Sequence, residues 1–283
     1  MTSISFEAGG ATWRADLTQS RDISIPMRFD EAQPNAYDVE MASAEAYAAG
    51  EVIGDVRRGG SCNFDRVTLI PHCNGTHTEC VGHLTRERIA ITDVFAGALV
   101  PATLISVSPV PALETGESYL LVKEDADRVI TAAAIESALA SALPACTRAL
   151  IIRTLPNDEG KRRRAYMRDP APFFTVEAMH AIVAHGVQHL LVDVPSLDRA
   201  FDEGRLSAHR VYWNLAADAR EVAVPPSADT QASALRTITE MVYVGNDIAD
   251  GAWLLSLQIA PFVLDAAPSR PVLHPLTRIA PHP

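Results

Sequence analysis

A short stretch of the chain, PHCNGTHTECVGH at residues 71–83, concentrates side chains that can bind metal ions or move protons. It holds three of the 9 histidines and two of the 4 cysteines in the 283-residue chain, together with a glutamate. Imidazole, thiolate and carboxylate groups are the ligands of catalytic zinc, manganese or iron sites. The residues concerned are His72, Cys73, His77, Glu79, Cys80 and His83. This stretch is therefore the first candidate for a functional site.

Two other interpretations of the stretch compete with a metal site. The four cysteines, at positions 62, 73, 80 and 146, are sparse and unevenly spaced for a disulfide framework. In a reducing compartment, thiols are more often free or bound to metal than paired. A polar cluster of this kind can also be a hydrogen-bonded network without an ion. The sequence thus disfavours disulfides and leaves the metal site and the polar network as alternatives.

The segment RVTLIPHC, at residues 66–73, has the apolar pattern of a strand that runs into a glycine-containing turn. Side chains at the end of a strand can converge on a ligand while the backbone stays fixed. Because successive strand side chains point to opposite faces, we expect only one of His72 and Cys73 to face the site. A one-residue bulge ahead of Asn74 would turn His72 inward, so both residues remain candidates.

The charge balance excludes several classes of partner. With 24 basic against 35 acidic residues, the net charge is −11, and no positive field attracts nucleic acid or anionic lipid. The basic run at residues 161–164 is predicted to be a solvated polar loop. We find neither a secretory signal pattern nor an apolar run long enough for a membrane span. We therefore expect a cytoplasmic protein that binds a small molecule.

Apolar segments rich in β-formers alternate with helical patterns, which predicts a mixed α/β fold. The predicted strands occupy residues 66–73, 103–110, 118–124, 148–154, 189–195, 237–244 and 253–264. The predicted helices occupy residues 131–140 and 175–186, the second with Thr175 as its cap and Gly186 as its stop. Several strands follow one another directly near both ends, so a uniform βαβ repeat fits poorly. We expect a mixed β-sheet with flanking helices.

The chain shows no internal repeat, low-complexity tract or linker, so we predict a single domain over residues 1–283. An extended polar arm lies near the amino terminus, as in residues 26–40. A Pro-rich tail, which contains His274 and His282, follows the last predicted strand. The histidines at positions 180, 185 and 189 are expected to be structural, and Asp193 and Asp198 to be turn or supporting groups rather than ligands.

The stretch at residues 71–83 resembles the signature H-x-G-T-H-x-D-x-P-x-H of the cyclase-like metal-dependent hydrolases, the family that includes bacterial kynurenine formamidase and isatin hydrolase. The chain shares the Gly-Thr-His core of that signature. Aligned on this core, the family's central histidine falls on His77, its aspartate on Glu79 and its last histidine on His83. The resemblance implies the swivelling β/β/α fold of that family.

Two later segments extend the resemblance. LLVDVPSLD at residues 190–198, followed by His209, resembles the family's strand, aspartate-containing turn and inward histidine. TITEMVYV at residues 237–244 resembles the segment that bears a metal-ligand glutamate, here Glu240. Several motifs in the right order are more specific than a single short one.

The chain departs from the signature at its first ligand. Cys73 stands where the family has histidine, with His72 one residue earlier, while Glu79 replaces the aspartate and Val81 the proline. Thiolate is a good zinc ligand, and glutamate keeps the carboxylate. The ligand set that the resemblance implies, with zinc as the expected ion and manganese as the alternative, is Cys73, His77, Glu79, His209 and Glu240.

The resemblance implies a metal-dependent hydrolase that cleaves an amide, formamide or cyclic amide C–N bond of a small, possibly aromatic substrate with metal-activated water. His83 is the expected general acid and base, because imidazole titrates in the useful range; the alternative role is a structural hydrogen bond. The family also implies a homodimer or homotetramer. The alternative function is a non-catalytic small-molecule-binding relative that has lost its metal.

Overall fold

The computed structural model describes residues 2–29, 31–216 and 232–279. Within these ranges the strands are β1 (Ser3–Ala8), β2 (Ala11–Asp16), β3 (Arg21–Asp22), β4 (Ser43–Ala46), β5 (Ala48–Ala49), β6 (Val52–Ile53), β7 (Asp65–Thr68), β8 (His77–Glu79), β9 (Ala98–Val107), β10 (Val110–Pro111), β11 (Arg128–Ile130), β12 (Ala149–Thr154), β13 (Phe173–Phe174), β14 (His189–Val192), β15 (Thr237–Glu240), β16 (Gly251–Leu257), β17 (Ala266–Pro268) and β18 (Val272–Ile279). The α-helices are α1 (Pro71–Asn74), α2 (Ile91–Val94), α3 (Ala132–Leu139), α4 (Val176–Ala184) and α5 (Ser207–Tyr212).

One large mixed sheet organises these elements, with the strand order β1-β2-β18-β16-β9-β12-β14-β15-β8-β17 and with β3 paired to β18. Strands β9, β12, β14 and β15 are parallel neighbours. The strands that extend the sheet on either side, β16 and β8, run antiparallel to them. The predicted α/β class, with a mixed sheet and flanking helices, is confirmed.

The parallel strands have cores on both faces. Along β12, Leu150 and Ile152 pack with helix residues into one hydrophobic cluster, while Ile151 between them belongs to a second cluster. This alternation follows from the period of two in strand side chains. A strand covered on both faces has no polar side, which explains the uninterrupted apolar run at the start of this strand.

Helices α3 and α4 confirm the helix predictions at residues 131–140 and 175–186. The Thr175 hydroxyl accepts a hydrogen bond from the amide of Ala178 at 3.0 Å and so caps α4. The chain leaves this helix at Gly186, whose φ of 74° lies in the left-handed region that favours glycine. Both helices contribute to the cluster that contains Leu150 and Ile152.

The prediction of a strand at residues 118–124 is wrong. No strand is assigned there, and the backbone amide of Ser118 bonds to the Glu177 carboxylate at 2.8 Å. Lys123 donates to the main-chain carbonyls of Thr115 and Glu117, and Val122 is 86% exposed. The apolar pattern suggested a strand, but Tyr119 and Leu121 pack with Val129 and Phe173 from a segment that is not itself paired into a sheet.

The strand predicted at residues 66–73 ends early, at Thr68, and the chain then turns into the short helix α1. Pro71 stands in the first turn of α1, a position that proline favours because its ring fixes φ at a helical value. His72 and Cys73 therefore lie on a helical turn. The premise that strand alternation separates them was wrong.

The prediction of a fully solvated basic loop at residues 161–164 was also wrong in part. Lys161 is only 4% exposed, and its ammonium group lies 2.8 Å from the buried carboxylate of Asp193. It also donates to the main-chain carbonyl and the hydroxyl of Thr154. A buried charge needs such partners, and here the first basic residue of the run supplies the cation for Asp193.

The two ends of the chain differ from the predicted arm and tail. In residues 26–40, the amide of Ala36 bonds to the carbonyl of Cys73, so this arm packs on its own chain. Residues 272–279 form β18 within the main sheet, and His274 lies on that strand, whereas His282 is outside the described residues. Within the described ranges, no helix has the length and apolar character needed to cross a membrane.

Candidate metal and catalytic site

Two adjacent strands at one end of the main sheet bring together a buried histidine and two buried glutamates. His77 and Glu79 are two residues apart on β8, so their side chains share one face. On the antiparallel neighbour β15, Glu240 is the register partner of His77. The three side chains each offer a ligand atom, and these atoms lie within 4.8 Å of one another. The motif at residues 71–83 and the later segment at residues 237–244 thus meet in space.

His209 joins this group from α5. The amides of Ala208 and His209 in the first turn of α5 both donate to the Asp198 carboxylate, at 2.7 and 3.2 Å. The same carboxylate lies 2.6 Å from His209 Nδ1. The opposite ring nitrogen, Nε2, consequently faces the glutamates, 3.0 Å from Glu79 Oε1 and 3.5 Å from Glu240 Oε1.

Three further side chains form the rim of the site. Asp265 Oδ2 lies 2.9 Å from His72 Nε2 and 3.4 Å from His83 Nδ1. His72 comes from α1, His83 from the 3-10 turn after β8, and Asp265 from the residue just before β17. Asp265 was not predicted as a site residue, because it directly follows the predicted strand at residues 253–264 and belongs to no motif.

Glu79 connects the buried group to the rim. Its Oε1 contacts His209, while its Oε2 lies 3.6 Å from His72 Nε2 and 3.9 Å from His83 Nδ1. Glu79 is 1% exposed, so the carboxylate is shielded from solvent. A carboxylate with imidazoles on both sides can contribute one oxygen to each.

The cluster is electrostatically balanced by its histidines. Burial alone would raise the pKa of Glu79, but the charge on His83 and the hydrogen bond from His209 outweigh it and hold this pKa below its usual value. Burial opposes the charge on His209, yet its bonds to Asp198 and the glutamates raise its pKa well above the usual value. In this form of the site, the positive charge that the raised pKa favours on His209 offsets part of the carboxylate charge.

Two buried ring nitrogens of the site, Nε2 of His77 and Nε2 of His72, lack a hydrogen-bond partner within the described residues. His77 Nδ1 lies 3.0 Å from the carbonyl of Gly75, which assigns its proton to that side and leaves a lone pair on Nε2. Within the described part of the chain, Nε2 has no hydrogen-bond partner, and Glu240 Oε2 is 3.5 Å away. An imidazole lone pair surrounded by carboxylates fits a divalent cation, which would take the place of the protons that now balance the site.

Cys73 lies beside the site but belongs to neither cluster of possible ligands. These clusters are the buried group of His77, Glu79 and Glu240 and the rim group of His72, His83 and Asp265. The thiol is 7% exposed, and burial, with the negative charge of Glu240, raises its pKa to about 11. A thiol in such surroundings is protonated at neutral pH. His72, one residue earlier, already directs Nε2 towards Glu79 and Asp265.

A cleft of about 980 Å³ opens at the rim of the site. His83 stands at its inner end, and Tyr37, Val122, Arg199 and Phe201 are among the residues that line it. The cluster of histidines and carboxylates is therefore accessible to a small molecule through the side of His83, while His77 and Glu240 remain buried behind it.

Comparison with known proteins places this arrangement in context. The cyclase family model, described as "Putative cyclase", matches residues 15–199. A search of curated proteins found no match.

Among solved structures, a predicted metal-dependent hydrolase from Bacillus stearothermophilus is 16% identical with a TM-score of 0.51, over 90% of this chain and 98% of that chain. A novel cyclase is 15% identical with a TM-score of 0.56, over 92% of this chain and 89% of that chain. Isatin hydrolase A from Labrenzia aggregata is 14% identical with a TM-score of 0.53, over 90% of this chain and 93% of that chain. At these identities the similarity concerns the fold.

The match to the family model spans more than half of the chain and includes the stretch at residues 71–83. It confirms the resemblance first seen in the Gly-Thr-His core, and the solved cyclase shares the fold over 92% of this chain. The chain belongs to the cyclase family.

Proposed function

We propose that this protein is a metal-dependent hydrolase that cleaves the C–N bond of an amide, formamide or cyclic amide in a small substrate, aromatic substrates included. The observation that carries the proposal is the unpartnered Nε2 of His77, buried among Glu79, Glu240 and His209 behind His83, which lines an open cleft. Family membership supports it, as do the structural neighbours described as a metal-dependent hydrolase and an isatin hydrolase.

The groups proposed to hold the cation are imidazoles and carboxylates. Such a set suits zinc or manganese, and when bound the ion would polarise the scissile carbonyl and make the attacking water more acidic. We assign the first ligand to His72 in place of Cys73, because His72 Nε2 points at Glu79 and the Cys73 thiol has a raised pKa. The proposed ligands are His72, His77, Glu79, His209 and Glu240.

His83 is proposed as the general acid and base. With Nδ1 on Asp265, its second ring nitrogen is the one left for a substrate in the cleft that His83 lines. During hydrolysis, water adds to the carbonyl carbon and loses a proton to His83. The C–N bond then breaks as His83 returns this proton to the departing nitrogen, so the imidazole ends in its starting state.

The sequence also predicts a cytoplasmic protein, and the family resemblance implies a homodimer or homotetramer; both features form part of the proposal. Light scattering coupled to size-exclusion chromatography tests the subunit number, with a monomer as the contradicting result.

Metal analysis of protein purified without chelator tests the central claim. We expect about one or two zinc or manganese ions per chain, and a lower melting temperature after removal of the ion. Hydrolysis of formanilide should disappear on removal and return with added zinc or manganese. If no metal is bound and neither ion changes melting temperature or activity, the protein is instead a non-catalytic binding relative.

A further inference from the structure

The cleft in front of His83 has a composition that selects among substrates. Its lining contains two basic side chains, Arg199 and His83, together with the acidic side chains Glu124, Asp202 and Glu203. The remainder is largely apolar and includes Val122 and Phe201. Charge and shape at this position act directly on any molecule that approaches His83.

Arg199 is already bound by two carboxylates. Its Nη2 lies 2.9 Å from Glu124 Oε1, and its Nε lies 3.0 Å from Asp127 Oδ1. The side chain is 14% exposed, and the two contacts occupy Nε and Nη2, the side edge of the guanidinium. This edge is therefore not free for the bidentate pair that a substrate carboxylate would form with it.

The remaining charges around the cleft are negative. Glu203 is exposed at the cleft, and no ion pair within the described residues neutralises it. Asp202 stands beside it, and its carboxylate accepts hydrogen bonds from the loop amides of Gly204 and Leu206. Arg199 is compensated by Glu124 and Asp127, and His83 by Asp265, so the excess charge of the cleft lining is negative and disfavours an anion.

Two large apolar side chains of the cleft are exposed to solvent. Val122 is 86% exposed and Phe201 is 65% exposed, although both are large hydrophobic side chains. Neither residue supports the core in this position, so their contribution is to the cleft surface. A flat apolar ring that enters the cleft can cover both side chains.

We propose that this cleft selects uncharged substrates with an apolar ring and rejects those that carry a carboxylate. This inference names the substrate class of the hydrolase proposed above and rests on that function for turnover, but not for binding. The ring would lie against Val122 and Phe201, with its amide directed towards His83. A carboxylate on the ring would meet Glu203 and an arginine that is already paired.

A matched pair of compounds tests the proposal: formanilide, and formanilide with a carboxylate at the para position. We expect the purified protein to prefer the neutral compound by about tenfold or more, both in kcat/KM and in affinity by calorimetry. The proposal is overturned if the two compounds have equal kcat/KM and affinity, if the anion is preferred, or if neither compound binds. If the neutral compound binds but is not hydrolysed, the selectivity stands and the proposed function fails.

Charge reversal identifies the source of the selectivity. Glu203→Lys should reduce the preference for the neutral compound by about two- to fivefold, since single exposed charges have effects of this size. Glu114→Lys, an equally exposed change outside the cleft, should leave the preference unchanged. The preference should also shrink as salt rises from about 0.01 M to 0.5 M. A preference that neither Glu203→Lys nor salt alters would overturn the electrostatic explanation.

The apolar surface has its own test. Val122→Ser should weaken binding of formanilide about threefold, because part of the covered surface becomes polar. Since Val122 is 86% exposed, the melting temperature should stay the same. Leu113→Ser, at an apolar residue that is 58% exposed and lies away from the cleft, is the matched control and should change neither value. Unchanged binding in Val122→Ser would overturn this part of the proposal.

Discussion

The carboxylate of Asp198 lies 2.6 Å from His209 Nδ1 and at the same time caps the first turn of the helix that carries His209. One buried carboxylate therefore fixes both the backbone and the ring of a proposed ligand. A histidine held in this way presents its other nitrogen in a single orientation, here towards Glu79.

Removal of this support should weaken metal binding. We expect Asp198→Asn to lower zinc affinity about ten- to hundredfold, because the ring of His209 loses the charge that orients it. Chelator competition measures the affinity. Asp202→Asn is the control, since this buried carboxyl in the same loop bonds to loop amides and not to His209. Equal losses in both variants would mean that the loop, rather than the contact to His209, determines the affinity.

The first metal ligand can be identified by two substitutions. We expect His72→Ala to reduce metal content strongly, because the ring contacts both Glu79 and Asp265. Cys73→Ala should keep the metal, because the buried thiol has a pKa of about 11 and is a poor source of thiolate. Elemental analysis of the two purified variants provides the comparison. Loss of metal in Cys73→Ala alone would return the role to Cys73.

His83 should affect turnover more than metal binding. His83→Ala is expected to reduce kcat by roughly a hundredfold or more, which is the usual contribution of general acid and base catalysis. Metal content should remain near that of the unchanged protein. Steady-state kinetics and elemental analysis on the same preparation separate the two effects. If the metal disappears with His83, this residue is a ligand and another group must transfer the proton.

A buried histidine on β14 should make the fold sensitive to acid. Burial lowers the pKa of His189 from 6.5 to about 4, and its Nδ1 lies 2.9 Å from the Thr237 hydroxyl. Between these two pH values the unfolded chain gains a proton that the folded protein excludes, so the free energy of unfolding falls as the pH is lowered. The loss amounts to about 3 kcal/mol by pH 4.

Urea unfolding at pH 7 and at pH 4.5 tests this prediction. In His189→Gln, which keeps an amide for Thr237, the difference between the two pH values should be smaller than in the unchanged protein. His180→Gln, at an exposed histidine, should leave the difference as it was. The prediction is wrong if His189→Gln shows the full loss of stability.

The sequence predicted the site and the fold best where a motif of possible metal ligands or an uninterrupted apolar run was present. The Gly-Thr-His core located His77 and Glu79, and the resemblance added Glu240, which the sheet brings to the same place, and His209, which α5 brings there. The apolar strands at residues 148–154 and 189–195 were recognisable because both of their faces are covered. Such strands have few alternatives to the interior of a sheet.

The errors arose where distant contacts decide the local structure. Residues 118–124 have the composition of a strand, but the Glu177 carboxylate holds the backbone of Ser118 in another path. Asp265 belongs to the site only because β17 pairs with β8, a relationship between segments far apart in the chain. Lys161 is buried because Asp193 needs a cation. None of these partners is visible within a short window of sequence.

Strand β18 carries a consequence for how the protein is made. It lies between β2 and β16 and pairs with both, so the hairpin of β1 and β2 joins the sheet only through residues near the other end of the chain. During synthesis, β1 and β2 emerge long before β18 does, so the edge of β2 that β18 will cover stays unpaired in the meantime. Pairings over such a distance in sequence form slowly. Until β18 inserts, that edge of β2 exposes unpaired backbone N–H and C=O groups, which can pair with another chain.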